Sequence, residues 1–442
     1  MIAAGGEEDD VAIWDPEHET LDRERLRALQ LERLQDVVRR VDAAVPLYRE
    51  RLRAAGIAPE DVRSLDDVRH LPFTTKSDFR EQYPFGLFAV SMEEVVELHS
   101  SSGTTGKPVV AGFTRRDLET WAELVCRVAV MAGVRRDDVA QVSFGYGMFT
   151  GGFGLHYGLQ RAGASVVPVS AGNTQRQLQF MRDFGTTVMV ATPSYALYLA
   201  EAIAASDDPS AFKLRLGLFG AEACSEEMRR QIETRIPIVA TDNYGLTEVI
   251  GPGIAGECEC RAGMHVAEDH FLLEVVDPAS GEPVPEGEVG ELVFTALTRE
   301  CSPVLRYRTR DLCSVTSEPC ACGRTLARMG KVVGRTDDMF IISGVNVFPS
   351  AIESVLFAIE GVEPHYQIVL ERKGAMDTFE VQVEVTEAIF NGWMDDLRAF
   401  EKRVTEELRS ALLVRPKVKL VEPGSLERTE GKARRVIDRR GG

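Results

Sequence analysis

The spacing of apolar positions changes repeatedly along the chain, and each change predicts a different element. Between residues 20 and 55, Leu26, Leu29, Leu34, Val37, Val38, Val41 and Val45 recur at helical spacing with charges between them. That pattern predicts an amphipathic helix, ended by Pro46. From residue 85 to about 325, short apolar runs alternate with helical patterns, which implies a parallel α/β core. The runs are DVAQVSFGYG, ASVVPVS, TTVMVATPS, LRLGLFGAE and IPIVATDNYG. After GELVFTALT (290–298) the pattern turns sheet-rich without crossover helices, as expected of a small β subdomain. A boundary falls near GRTDDMFIISGVNVFPSAIE, 334–353. Beyond it come a helix with Ile352, Val355, Leu356 and Ile359, then HYQIVLER, then FEVQVEVT with period-two alternation. A helix over about 393–412 and the strand KVKLVE complete a compact α+β unit. The expected fold class is α/β. A large N-terminal domain, 1–336, has parallel sheets with helices plus the β subdomain, and a small α+β C-terminal domain spans 337–442.

Length and charge narrow the function. A chain of 442 residues is too long for one hydrophobic core, so more than one domain is required. The formal charge of −18 argues against a surface built for nucleic acid or anionic membrane. Any phosphate site must then be a local pocket in an acidic body. No apolar run approaches the roughly 20 residues of a membrane span. The start, MIAAGGEEDD, is acidic and reads as a frayed tail rather than a signal peptide. Together these features predict a cytoplasmic protein. Of the eight cysteines, Cys258 and Cys260 form one tight pair and Cys320 and Cys322 another, with Cys313 nearby; Cys126, Cys224 and Cys301 are isolated. In a cytosolic enzyme such clustering favours metal over disulfides.

The stretch HSSSGTTGKP (99–108) looks at first like a nucleotide-triphosphate loop. It fails the G-x-x-x-x-G-K-[ST] pattern, because Ser101 stands at the first glycine and Pro108 follows Lys107. The next residues, VVAGFT, are strand-like, so no helix N-terminus follows. What remains is a hydroxyl-rich loop between two strands. Gly103 and Gly106 permit turns whose exposed N–H groups form an anion nest, and Lys107 adds charge. A plain polar hairpin has the same composition.

The loop has company. SSSGTTGKP, DNYGLTE (242–248), YRTRDL (307–312), GRTDDMFIISGVNVFP (334–349) and LERTEGKARRVIDRR (426–440) occur in the order seen in adenylate-forming enzymes. Within that superfamily the chain resembles the phenylacetate–CoA ligase family, whose phrasing LPFTTKSDFREQYPFGLFA, YGMFTGGFGLHYG and RYRTRDL also follow. The resemblance runs from about Trp14 to Arg440, nearly the whole chain. It implies an AMP-forming ligase that uses ATP and Mg²⁺ to adenylate an aryl acid and then passes the acyl group to coenzyme A.

By that resemblance Ser102, Gly103, Thr104, Thr105, Gly106 and Lys107 hold the β- and γ-phosphates. Ala221 and Glu222 in GAEACSE bring a strand end to the adenine, and Asp242, Asn243 and Tyr244 continue that site. Thr247 touches the α-phosphate, and Glu248 is the Mg²⁺ ligand. Asp311 binds the ribose hydroxyls, with a salt bridge to Arg308 or Arg310 as the structural alternative; Arg335 is a second ribose-side residue. Lys432 bridges the incoming carboxylate and the α-phosphate, cancelling their repulsion. Asp337 is the hinge of a mobile C-terminal domain, and Gly344 lets the pantetheine thiol pass. Tyr146, Phe149, Gly151, Ala221 and Gly245 wall the acid pocket. After GAE the family commonly has Pro and an aromatic residue where this chain has Ala223 and Cys224, so a substituted benzoate or aminobenzoate stands beside phenylacetate.

Cys258, His265, Cys320 and Cys322 are the expected ligands of a closed structural Zn²⁺ site, with Cys260 left over. The alternative for these thiols is burial as small hydrophobes. Two other functions remain: transfer of the acyl group to a carrier protein, amine or hydroxyl acceptor, and a zinc-stabilised interaction protein with a relict nucleotide pocket. A homodimer is compatible with the sequence, which does not itself fix the oligomeric state.

Overall fold

The computed structural model describes residues 12–101, 107–342, 345–373, 376–391, 393–428 and 435–440. The first predicted helix is there as Arg23–Ala44, with Leu26, Leu34, Val37, Val38 and Val41 buried along one side. Pro46 ends it and also opens the next helix, Pro46–Ala55, because proline is tolerated at a first helical position whose N–H has no intrahelical partner.

The five predicted strands form one half of a nine-stranded sheet among the described residues. In spatial order they are Ser165–Val167, Val139–Val142, Val188–Ala191, Leu216–Gly220 and Val239–Leu246, all parallel. The central runs VMVA and LGLFG are buried throughout, as parallel strands covered by helices on both faces must be. The parallel pattern stops earlier than residue 325. Only a few residues separate Leu246 from the next strand, Gly251–Glu257, and a parallel crossover needs about a dozen. The chain therefore turns back, and Gly251–Glu257, Met264–Val266, Arg328–Met329 and Val315–Thr316 extend the sheet in antiparallel fashion.

The β subdomain begins at Phe271, before the GELVFTALT run. Its four antiparallel strands are Phe271–Val276, Gly290–Ala296, Tyr307–Cys313 and Gly334–Arg335. The C-terminal unit has the predicted composition. Helices Pro349–Phe357 and Met394–Leu412 accompany a mixed sheet ordered Lys417–Val421, Met376–Val385, Val362–Lys373 and Val436–Asp438. One apolar cluster joins the N-terminal helices to the two larger sheets. A second joins helices Pro193–Ala204 and Glu226–Arg235 to the C-terminal unit. Across that junction His365 Nε2 lies 3.3 Å from Glu201 Oε1.

Candidate active site

The phosphate loop is carried by a hairpin, as its flanking residues predicted: Glu97–Ser100 pairs with Val110–Phe113. Its neck is closed by the backbone of Ser101 and Val109 and by the Ser101 hydroxyl, which accepts from the Val109 N–H at 3.0 Å. Ser102, Gly103, Thr104, Thr105 and Gly106 lie outside the described residues, as do Gly344 and Lys432. Lys107 is exposed, its ammonium 5.6 Å from the centre of the Tyr83 ring.

The remaining nucleotide residues converge at the C-terminal ends of strands Leu216–Gly220 and Val239–Leu246, where parallel sheets commonly bind ligands. Ala221 follows the first strand with φ +70°, a left-handed conformation costly for a residue with a Cβ and characteristic of functional turns. Glu222 accepts from the Ser194 N–H at 2.8 Å, in the first turn of helix Pro193–Ala204. Asn243 donates from its side chain to the Phe219 carbonyl. Asp242 is enclosed, and burial together with the nearby Glu257 carboxylate pushes its carboxyl up to about 7.

Tyr244 and Asp311 come from different sheets and meet. The Tyr244 hydroxyl donates to Asp311 Oδ2 at 2.6 Å, and Arg335 Nη1 pairs with Asp311 Oδ1 at 2.5 Å. Arg335 also reaches Asp337 at 3.0 Å, linking Asp311 to the expected hinge. Neither Arg308 nor Arg310 is the partner; both pair with Glu291. Strand alternation explains the correction. Arg308 and Arg310 project to one face of Tyr307–Cys313, while Tyr307, Thr309 and Asp311 project to the other.

Gly245 is required by a close backbone approach: a Cβ there would lie 1.9 Å from the Gly251 carbonyl oxygen. The next residues bind the acid-pocket segment to the nucleotide strand, since the Thr247 and Thr150 hydroxyls are 3.1 Å apart. Thr150 opens helix Thr150–Ala162, with Gly151 next and Phe149 at its N-cap, 49% exposed. Tyr146 is half-buried, its hydroxyl 3.0 Å from His156 Nδ1 and its ring edge-on to Phe153.

Glu248 is only 7% exposed. Two groups that sequence reasoning did not single out meet it. Tyr307 lies beside it, and burial followed by the Glu248 charge raises the Tyr307 phenol well above its ordinary range. Lys76 Nζ lies 3.6 Å from Glu248 Oε1. Both residues lie in stretches that carry the family resemblance, but no local pattern marks a lysine that becomes an active-site neighbour through packing.

Two family models match: AMP-binding enzyme over residues 26–296 and AMP-binding enzyme C-terminal domain over residues 344–440. A phenylacetate-coenzyme A ligase of Thermus thermophilus is 48% identical, covering 97% of this chain and 100% of its own length. The Escherichia coli enzyme of the same name is 45% identical over 96% of this chain and 97% of its own. The chain belongs to the phenylacetate–CoA ligase family. It is an AMP-forming acid–CoA ligase. The arrangement of this ligase matches a 2-hydroxyisobutyryl-CoA ligase in its postadenylation state, with 31% identity, TM-score 0.91, and coverage of 97% and 93% of the two chains. The same relative in its thioesterification state gives 0.71, at 32% identity and 97% and 92% coverage. Among the described residues no helix is long and apolar enough to cross a membrane.

On the antiparallel half of the large sheet the structure assembles the four expected metal ligands. The donor atoms of Cys258, His265, Cys320 and Cys322 all lie within 4.8 Å of one another, and all four residues are buried. Cys258 and Cys320 have sulfurs 3.8 Å apart, and Cys322 Sγ is 3.3 Å from His265 Nε2. Tetrahedral Zn²⁺ with Zn–S near 2.3 Å sets its sulfurs about 3.8 Å apart, so the donor set fits that ion. Hydrogen bonds from Cys258 and His265 hold Cys322 well below the ordinary thiol range, the thiolate form a metal requires. Cys260 is exposed and outside the group.

Proposed function

We propose that this ligase activates phenylacetate or a closely similar arylacetate and passes it to coenzyme A. An oxygen of the acid carboxylate bonds to the α-phosphorus of ATP, and the bond to pyrophosphate breaks. The CoA sulfur then attacks the acyl carbon, its proton leaves to solvent, and AMP departs. The carrying observation is near full-length similarity to phenylacetate-coenzyme A ligases, joined to an ordered Tyr244–Asp311–Arg335 and Thr247–Glu248 constellation.

In this reading Asp311 exchanges its protein partners for ribose hydroxyls, with Arg335 fixing its orientation. Ser102, Gly103, Thr104, Thr105, Gly106 and Lys107 hold the outer phosphates. Ala221, Glu222, Asp242 and Asn243 border the adenine, and Thr247 donates to the α-phosphate. Lys432 neutralises the repulsion between carboxylate and phosphate. The Glu248 carboxylate fits a hard cation, and Mg²⁺ bound there would neutralise phosphate charge. Residues 337–442 move as a unit about Asp337, bringing Gly344 to the thiol. Zn²⁺ on Cys258, His265, Cys320 and Cys322 closes a structural site. The free cysteines suit a reducing cytoplasm.

The acid pocket is read from Tyr146, Phe149 and Phe153, with Gly151 in the first turn of the helix that carries Phe153. Of the two residues whose departure suggested benzoates, Ala223 is exposed and Cys224 is buried, its carbonyl accepting from Lys331 Nζ at 2.7 Å. The test is acid-dependent ATP–pyrophosphate exchange across phenylacetate, benzoate and aminobenzoates, followed by CoA consumption. Phenylacetate is expected to give the highest kcat/KM; a benzoate ahead of it would refute the assignment.

A further inference from the structure

Lys76 is held in place by the N-terminal layer of the protein. Thr74 makes a parallel bridge to Tyr307: its N–H donates to the Arg306 carbonyl at 3.0 Å, and its carbonyl accepts from the Arg308 N–H at 2.9 Å. Its hydroxyl donates to the Leu305 carbonyl at 2.5 Å and lies 2.9 Å from the Tyr48 hydroxyl. On the other side Asp78 accepts from the Thr75 N–H at 2.7 Å and from Arg51 Nη1 at 3.0 Å. A residue between two such anchors has a fixed backbone, so only its four-carbon stem is free.

That stem directs the ammonium to Glu248, which with Thr247 lies just past the end of the strand that carries Tyr244. Glu248 is almost enclosed, whereas the Lys76 side chain is 46% exposed. The buried Tyr307 phenol lies near the same carboxylate. A half-exposed cation on a net-acidic protein, fixed beside the residues that surround the α-phosphate, matches an anionic ligand at that point.

We propose that Lys76 is a phosphate-binding residue whose ammonium moves from Glu248 to the α-phosphate oxygens of ATP and of the acyl adenylate. Because it sits on the same body as Glu248 and Asp311, it contacts that phosphate in both half-reactions. This rests on the nucleotide site proposed above. The pairing with Glu248 then serves the empty enzyme: it keeps a buried carboxylate compensated until a nucleotide takes the lysine away.

Calorimetric titration of the full-length protein with AMP and with adenosine, both without Mg²⁺, tests the assignment. Lys76→Met should weaken AMP by about 10- to 100-fold, the range of a charge-assisted hydrogen bond, and leave adenosine within about twofold. Lys76→Arg should restore most of the AMP affinity. Unchanged AMP affinity in Lys76→Met overturns the proposal, and so does an equal loss for both ligands, which marks a structural role. A wild-type protein that binds neither ligand would instead refute the nucleotide site itself.

Discussion

The two halves of the large sheet carry sites of opposite character. On the antiparallel half, Cys258, His265, Cys320 and Cys322 stand ready within 4.8 Å of one another, buried and packed against Met131. Near the end of the parallel half, the charged groups are paired with one another: Asp311 with Tyr244 and Arg335, Glu248 with Lys76 and Tyr307. The first gathers soft donors away from solvent, the arrangement that closed structural metal sites use. The second is a set of protein-to-protein pairs that, in the function proposed above, substrates exchange for their own contacts. A site that turns over has to release its product, so its polar groups need alternative partners when empty, since a buried unpaired charge is costly.

The difference can be attacked from either side. The largest effect should come from Lys432→Ala, expected to cut adenylation by about 10²- to 10³-fold while largely sparing thioester formation from supplied aryl adenylate. Pyrophosphate exchange and single-turnover thioester assays read the two steps separately, and equal loss in both would contradict the role. Next in size, Cys322→Ser should bring zinc content from about one equivalent to less than half and lower Tm by about 5 °C or more. The kcat of the folded fraction should stay within about twofold. A large fall in kcat with Tm intact would mean that the cluster takes part in the chemistry.

The smallest effect concerns the adenine-side carboxyl. Burial first, then Glu257, lifts Asp242 to about 7, whereas an unfolded aspartate titrates near 3.9. Between those values the folded chain binds the extra proton. Its contribution to stability is therefore complete below about pH 4 and lost as pH rises through about 7. Asp242→Asn should flatten the fall of Tm with pH across that window and raise Tm at pH 7.5 by about 2–4 °C. An unchanged slope would show that Asp242 is ionised in the folded protein throughout.

Much of this was legible in the chain itself. The five strands from Val139 to Leu246 were marked by apolar runs bounded by turns. The loop at 102–106 was marked as a non-Walker loop by Ser101, Pro108 and the strands on either side, which the Glu97–Phe113 hairpin bears out. That Cys258, His265, Cys320 and Cys322 form one group was legible from two short cysteine pairs and one histidine, because donor chemistry is carried by residue type as well as position. Fold class and family followed from order and periodicity, which are local properties.

Pairing was different. Asp311 has three arginines within reach along the sequence, and the alternation of one strand together with the register of Gly334–Arg335 selects Arg335. Lys76 lies far from Glu248 in sequence and reaches it because Thr74 and Asp78 fasten its segment to the β subdomain and the second helix. Charge partners are chosen by which surfaces dock, and docking is driven by non-directional burial of apolar area that leaves no mark beside the charged residue. The sequence by itself determined the elements, the family and the ligand set. Only the tertiary structure decided which charge answers which.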